Sequence, residues 1–317
     1  MRLPSGDDNA GPSYAGRVIA PEAVVPEPGV AEDGQSAGPG ALPTLIVIGA
    51  QKCGTSSLHR YLDCHPAIAM SRVKELDFFL DDGSWSRGVE WYRSQFNSAA
   101  EVRGESSPNY TNLPVSSAVA ERMHNLVGEA RLIYMVRDPI ERALSHYTHA
   151  VGLGREDRPV DVAMSEPDSR YLRRSLYRTQ LAPFVSRFPE GRIHVATQED
   201  LRDRRVETLR KIFGLLGVDT EFSSQDFDRE WEVSAGKDRK FKLAYRASRL
   251  IGGKSFWGRL PPRVRWRLER LALGRVGEPV QAPELAASVR AGLVERLGPE
   301  IEWLRAYAGR DFADWGV

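Results

Sequence analysis

Lys52, Gly54, Thr55, Ser56 and Ser57 stand together in the run LIVIGAQKCGTSS at positions 45–57. A fixed ammonium, two glycines and three hydroxyls in so short a space suit one task, the holding of a multiply charged oxyanion. Gly49 and Gly54 let the main chain approach a ligand closely. The free amides of a helix start that follows would face an anion, and the helix dipole favours its charge. The other reading of these letters is a glycine turn with a solvated lysine. Four apolar residues at 45–48, a polar turn and then SSLHRYL argue against it, because strand, turn and helix signals fall in register.

The loop is not an ordinary nucleoside-triphosphate loop. The pattern G-x-x-x-x-G-K-[ST] aligns Gly49 with Gly54 and then requires lysine where Thr55 stands. A kinase of that type needs its lysine on the β- and γ-phosphates and a hydroxyl on Mg²⁺. Here the lysine comes before the second glycine, at Lys52, which leaves room for another anhydride. An ATP- and Mg²⁺-dependent phosphotransferase and a non-catalytic nucleotide-binding protein are the alternatives to an enzyme using such an anhydride.

The elements that must position this loop repeat its pattern. The run RLIYMV at 131–136 reads as a second strong strand and leads into Arg137, Asp138 and Pro139. Proline in a first helical turn with aspartate beside it makes a good start for a helix over 140–150. Weaker strands are expected at 68–70, 101–105 and 192–197, and helices at 57–62, 115–127, 175–188, 200–216 and 284–307. Strand, polar turn and helix in alternation predict an α/β fold: a P-loop-like three-layer sandwich, with a central parallel sheet flanked by helices and ligands at the carboxyl edge of its strands. Leu76, Phe79 and Leu80 in SRVKELDFFLDD have helical spacing. Trp85, Trp91, Tyr92 and Phe96 read as core rather than as a cofactor stripe. Residues 152–169 read as a mobile loop, 233–241 as a basic loop and 242–275 as a basic helical stretch with a solvated face.

Composition bounds the remainder. Among 317 residues, 41% are hydrophobic and 27% charged, which suits a globular domain with ample core. A net charge of +1 gives no global case for nucleic acid or an anionic membrane as partner. Residues 1–41 are rich in Gly, Pro, Ala, Asp and Glu and are expected to form a disordered tail, with one domain over 42–317. No run is long enough to span a bilayer, and the N-terminus lacks a secretory pattern. The two cysteines, Cys53 and Cys64, argue against a disulfide scaffold and suit a reducing compartment, so the expected location is cytoplasmic. Cys53 admits two readings, a reactive thiol or a small residue filling a crowded loop. The six histidines are scattered and no acidic pair has metal-loop spacing, so no metal is expected.

Four patches together resemble the sulfotransferases that use 3′-phosphoadenosine 5′-phosphosulfate (PAPS), in the branch of the heparan-sulfate enzymes and their bacterial relatives. They are GAQKCGTSS at 49–57, KELDFF at 74–79, GESSPNY at 104–110 and YMVRDPIERALSHY at 134–147, in the family's order. The resemblance implies a PAPS co-substrate, with 3′-phosphoadenosine 5′-phosphate (PAP) as product. It places Lys52 on the leaving phosphate and Gly54, Thr55, Ser56 and Ser57 on the 5′-phosphate. It assigns the 3′-phosphate to Arg137 and Ser145, and the late basic loop to Lys237, Arg239 and Lys240. Arg137 is otherwise half of a surface pair with Asp138, and Ser145 an outward serine. Glu75 matches the general base, and Glu105, Ser107, Asn109 and Tyr110 the acceptor side. His146, next to Ser145, stands in support. The acceptor is expected to be a small molecule or a glycan, with a hydroxyl or amine as nucleophile. Two departures turn the expectation away from polysaccharide: Ser106 stands where the branch carries lysine, and no cysteine follows Cys64.

Overall fold

Leu45–Gly49 forms β1, and all five of its residues are buried. An unbroken apolar run is what a strand covered on both faces requires. The computed structural model describes residues 40–81, 84–114, 116–229 and 283–317. Lys237, Arg239 and Lys240, the basic stretch at 242–275 and positions 1–39 of the expected tail lie outside the described residues. β2 (Ile68–Met70), β3 (Val102–Ser106), β4 (Arg131–Val136) and β5 (Ile193–Thr197) complete a sheet ordered β2-β3-β1-β4-β5. Every pairing is parallel. The expected sandwich with a central parallel sheet is therefore present.

The helices follow in chain order as α1 (Thr55–Asp63), α2 (Gly88–Arg93), α3 (Val119–Val127) and α4 (Pro139–Gly152). Then come α5 (Val160–Ser165), α6 (Arg170–Arg173), α7 (Tyr177–Val185), α8 (Gln198–Asp203), α9 (Arg205–Leu216) and α10 (Ala287–Ala308). The chain leaves β1 toward β2 on one side and leaves β4 toward β5 on the other. The carboxyl ends of β1 and β4 thus flank the point where the winding reverses, the usual crevice for a ligand in such sheets.

Packing fixes the two central strands against each other. Ile46 lies opposite Leu132 and Val47 opposite Ile133, and the register shifts before Gly49 meets Tyr134. At Gly49 an added Cβ would lie 2.0 Å from Thr111 Oγ1 and 3.1 Å from the Tyr134 ring, so no side chain fits there. Phe78 stacks on Tyr92 with ring centroids 4.1 Å apart, and both belong to the main core, in line with the core reading of the aromatic segment. α10 enters both hydrophobic clusters, through Ile301 and Leu304 in one and Leu293 and Leu297 in the other.

Three local expectations change. Residues 71–81 form no helix despite the spacing of Leu76, Phe79 and Leu80. Their amides are committed elsewhere: Glu75 N–H donates to the Ser106 carbonyl, Asp77 N–H to Ser107 Oγ, and Phe78 N–H to the Tyr110 hydroxyl. Tertiary hydrogen bonds override the periodicity because each main-chain donor can be used only once. The helix expected at 200–216 breaks at Arg204 into α8 and α9, after Thr197 caps the first by accepting from Asp200 N–H at 3.0 Å. The loop expected at 152–169 contains α5. It also contains an ion-paired cluster in which Glu156, 4% exposed, meets Arg158 at 2.6 Å.

Candidate functional site

Lys52 follows β1 in a left-handed conformation (φ 71°), and Gly54 follows it at φ 81° as the residue before α1. Glycine reaches such angles freely, whereas a lysine there costs on the order of 1 kcal/mol or more and persists only where its surroundings impose it. The turn is held at its start by Ala50 N–H donating to the Met135 carbonyl at 2.6 Å. α1 carries no side-chain cap and no acidic residue in its first turn. Its leading amides, beside buried Thr55 and half-buried Ser56 and Ser57, are thus available to an anion.

The second turn leaves β4, next to β1. Asp138 caps α4, its Oδ1 accepting from Ile140 N–H at 2.9 Å and Glu141 N–H at 3.0 Å, while its Oδ2 accepts from Gly316 N–H at 2.7 Å. Asp138 is thereby occupied, and Arg137 pairs with Glu141 at 3.7 Å instead of with its neighbour. The Tyr177 hydroxyl donates to the Arg137 carbonyl at 2.6 Å and lies 3.9 Å from Cys53 Sγ, which joins the two turns. Further along α4, the buried oxygen Ser145 Oγ and the buried nitrogen His146 Nδ1 have no hydrogen-bond partner. Orphaned buried polar atoms are rare and point to an absent ligand. An uncapped helix start, a strained lysine and an orphaned hydroxyl fit a nucleotide carrying phosphate at both ends.

Burial settles Cys53. It is completely inaccessible, and desolvation pushes its thiol up to about 12 against the opposing charges of Arg142 and Arg137. It fills space and is not a reactive thiol.

Arg142 is the residue that sequence reasoning missed. Its side chain is fully buried on α4 and donates from Nε to Ser175 Oγ at 2.6 Å, from Nη2 to the Tyr171 carbonyl and from Nη1 to the Gln51 carbonyl at 3.4 Å. The available signal was its place one turn before Ser145 and His146, on the same side of the helix.

The loop after β2 and the loop after β3 form the third edge of the site. Glu75 and Asp77 both have left-handed backbones, at φ 63° and φ 48°. Lys74 Nζ donates to Glu75 Oε1 at 2.5 Å, and the Glu75 side chain keeps 23% of its surface. Asn109 donates to Asp77 Oδ2 at 3.0 Å, and Arg174 donates to Asn109 Oδ1 at 3.4 Å. Burial raises Asp77 to about 7, the Asn109 bond opposes that, and Glu75 and Glu105 add to it. Ser106 bonds His59 Nδ1 at 3.2 Å, and burial followed by the Lys74 charge lowers His59 to about 4.

Glu105 and Tyr110 do not face an acceptor, contrary to the expectation. Both are completely buried. Glu105 accepts from the hydroxyls of Tyr92, Tyr110 (3.0 Å) and Ser107 (2.8 Å), so its carboxylate is spent on holding this edge together. Asn109 remains at the rim, half-buried. Among the described residues, no cluster of three His, Cys, Asp or Glu side chains could hold a metal ion. No helix of the described residues is long and apolar enough to cross a membrane.

Fold and site define a P-loop-like α/β protein with an anion-facing carboxyl edge. The sulfotransferase-domain family model matches residues 42–250, well over half of the chain, and the chain belongs to that family. Heparan sulfate glucosamine 3-O-sulfotransferase 5 of Homo sapiens is 29% identical over 195 residues, covering 57% of this chain and 55% of that protein. Membrane-associated sulfotransferase kil1 of Dictyostelium discoideum is 37% identical over 115 residues, 35% of this chain and 23% of that protein. This chain thus spans about half or less of the length of these curated relatives. The crystal structure of a sulfotransferase from Alicyclobacillus acidocaldarius matches with a TM-score of 0.61 at 24% identity, over 87% of this chain and 99% of that one, a likeness of fold.

Proposed function

We propose that this chain transfers a sulfuryl group from PAPS to an acceptor hydroxyl or amine. The observation that carries the reading is the pairing of the two turns. The uncapped start of α1 behind Lys52 and the orphaned Ser145 Oγ behind Arg137 lie at the ends of adjacent strands, as a nucleotide with a 5′-phosphosulfate and a 3′-phosphate needs.

PAPS, when bound, supplies an activated sulfuryl group on a mixed anhydride. Lys52 opposes the charge that builds on the departing phosphate, so its ammonium stabilises the transition state more than the ground state. Gly54, Thr55, Ser56 and Ser57 hold the 5′-phosphate through main-chain amides and hydroxyls, while Arg137 and Ser145 hold the 3′-phosphate. Lys237, Arg239 and Lys240 add the late basic loop. Glu75 receives the acceptor proton during in-line attack, with Lys74 orienting its carboxylate. Glu105 and Tyr110 act from behind by holding the loop that carries Glu75.

A glycan acceptor is favoured by the heparan sulfate named in the human relative, and lipid and small-metabolite hydroxyls belong to the same chemical class. The free cysteines Cys53 and Cys64 support a reducing, cytoplasmic setting. Calorimetry of the folded protein with PAP tests the donor half of the proposal, and saturable binding is expected. Stabilisation by Mg-ATP with none by PAP would overturn it in favour of a phosphotransferase. Transfer of radiolabelled sulfate from PAPS to glycan, lipid and phenolic acceptors tests the other half.

A further inference from the structure

His146 is a buried imidazole surrounded by positive charge. It follows Ser145 on α4, and its Nδ1 is enclosed without a partner. Its ring meets the edge of Tyr171 at a centroid distance of 5.0 Å and an angle of 75°, which holds it in place. Four cations act on it from three directions: Arg142 on its own helix, Lys52 on the loop after β1, and Arg170 and Arg174 from α6 and its end. The nearest carboxylate on that side is Glu156, which is taken up by Tyr171 (2.8 Å), Arg158 (2.6 Å) and Arg170 (3.6 Å). Burial first, and these cations next, hold His146 well below its ordinary range, so it is neutral in the free protein.

A cationic ring around a neutral imidazole is a costly arrangement unless an anion completes it. A polyanion beside Ser145 and Lys52 would reverse the sign of the local field, since opposite charge within about 4–6 Å favours a charged form strongly. We propose that His146 is a donor-site residue that takes up a proton from solvent when a 3′-phosphorylated nucleotide enters beside Ser145. The proposal rests on the reading given under Proposed function, because it requires that nucleotide at this edge. In the bound state the imidazolium donates to the ligand or its ordered water, and the orphaned atom gains its partner. Release of the nucleotide returns the proton to solvent.

Calorimetric titration of the full chain with PAP at one pH, in two buffers of different ionisation enthalpy, counts the protons exchanged on binding. The His146→Asn variant provides the comparison, and the difference from wild type removes the nucleotide's own phosphate ionisation. Wild type is expected to take up a substantial fraction of a proton near pH 7 more than the variant. PAP affinity of the variant is expected to fall about tenfold at pH 6 and only about twofold at pH 8.5. A side chain that merely fills space would lower affinity equally at both pH values. Equal proton counts in wild type and variant overturn the inference while leaving PAP binding, and the proposed function, in place. Failure of PAP to bind wild type overturns both. His146→Gln carries the same comparison if the asparagine variant does not fold, and wild-type uptake of no proton relative to it is equally decisive.

Discussion

Arg142 donates from Nη1 to the main-chain oxygen of Gln51 at 3.4 Å, tying the helix that carries Ser145 to the loop that carries Lys52. The same guanidinium holds Ser175 at 2.6 Å, and Ser175 passes its own proton to the Pro139 carbonyl at 2.7 Å. One buried cation thus connects both proposed phosphate sites. Its direct partners among the described residues are carbonyls and a hydroxyl, not a carboxylate, so its charge acts on whatever anion lies between them.

Replacing Arg142 by lysine keeps the charge and removes the planar fork. Arg142→Lys is expected to weaken PAP binding about tenfold while unfolding only a few degrees lower. Arg142→Met leaves three acceptors unsatisfied in a buried place, at about 1–3 kcal/mol each, so a much larger drop in melting temperature is expected. Thermal unfolding and PAP calorimetry on both variants separate the effects. Wild-type affinity in Arg142→Lys would show that the tie is unimportant.

Lys52→Ala removes an ammonium aimed at developing charge and also relaxes a left-handed lysine. Turnover is expected to fall by about 10²–10³-fold, as for loss of a preorganised donor. The fold should be unaffected, because the side chain is not part of the core and the strain is local. Sulfate transfer from labelled PAPS, alongside circular dichroism, checks both statements. Lys52→Arg is expected to recover only a minor part of the rate.

Glu75→Gln keeps shape and removes basicity. A fall of about 10²–10⁴-fold in kcat is expected, with PAP affinity unchanged. A variant that turns over as fast as wild type would take Glu75 out of the base role and direct attention to Asp77, its neighbour in the same strained loop.

Asp77 and His59 impose opposite pH slopes on stability. Asp77 is raised to about 7 in the fold, so between roughly 4 and 7 the native state keeps a proton that the unfolded chain has lost, and stability falls as pH rises. His59 is lowered to about 4, so between about 4 and 6.5 the unfolded chain holds the extra proton, and stability rises with pH. Each slope is at most about 1.4 kcal/mol per pH unit. Denaturant melts across pH 4–8 should therefore show Asp77→Asn gaining stability relative to wild type as pH rises toward 7. His59→Gln should gain relative to wild type as pH falls toward 4. Parallel profiles would contradict both placements.

Cys53, pushed up to about 12 in a sealed position, is expected to resist iodoacetamide at pH 8 in the native protein. Cys64 is half-buried and should be alkylated first. Mass spectrometry of the tryptic peptides, before and after denaturation, reads the order.

Much of this site is visible in the linear chain because its parts are local. The strand at Leu45–Gly49, the turn with Lys52 and Gly54 and the start of α1 are contiguous, so apolar run, glycine and helical spacing report on one another. The same holds for β4, Arg137, the Asp138 cap and α4. Local signals misled at residues 71–81, where helical spacing lost to hydrogen bonds with Ser106, Ser107 and Tyr110, partners about thirty positions away. They also misjudged Glu105, because a carboxylate in a turn-rich segment looks exposed until the hydroxyls of Tyr92, Ser107 and Tyr110 are folded around it.

By itself, then, the sequence determined the two strand–turn–helix units and their anion-facing character, since main-chain amides and caps depend on near neighbours. Tertiary structure alone decided that β1 and β4 lie side by side, that Tyr177 and Arg142 bind the two turns together, and that Lys52, Glu75 and Asp77 stand in left-handed conformations. These features rest on partners distant in the chain, and close packing around the strand order is what brings such partners within hydrogen-bond reach.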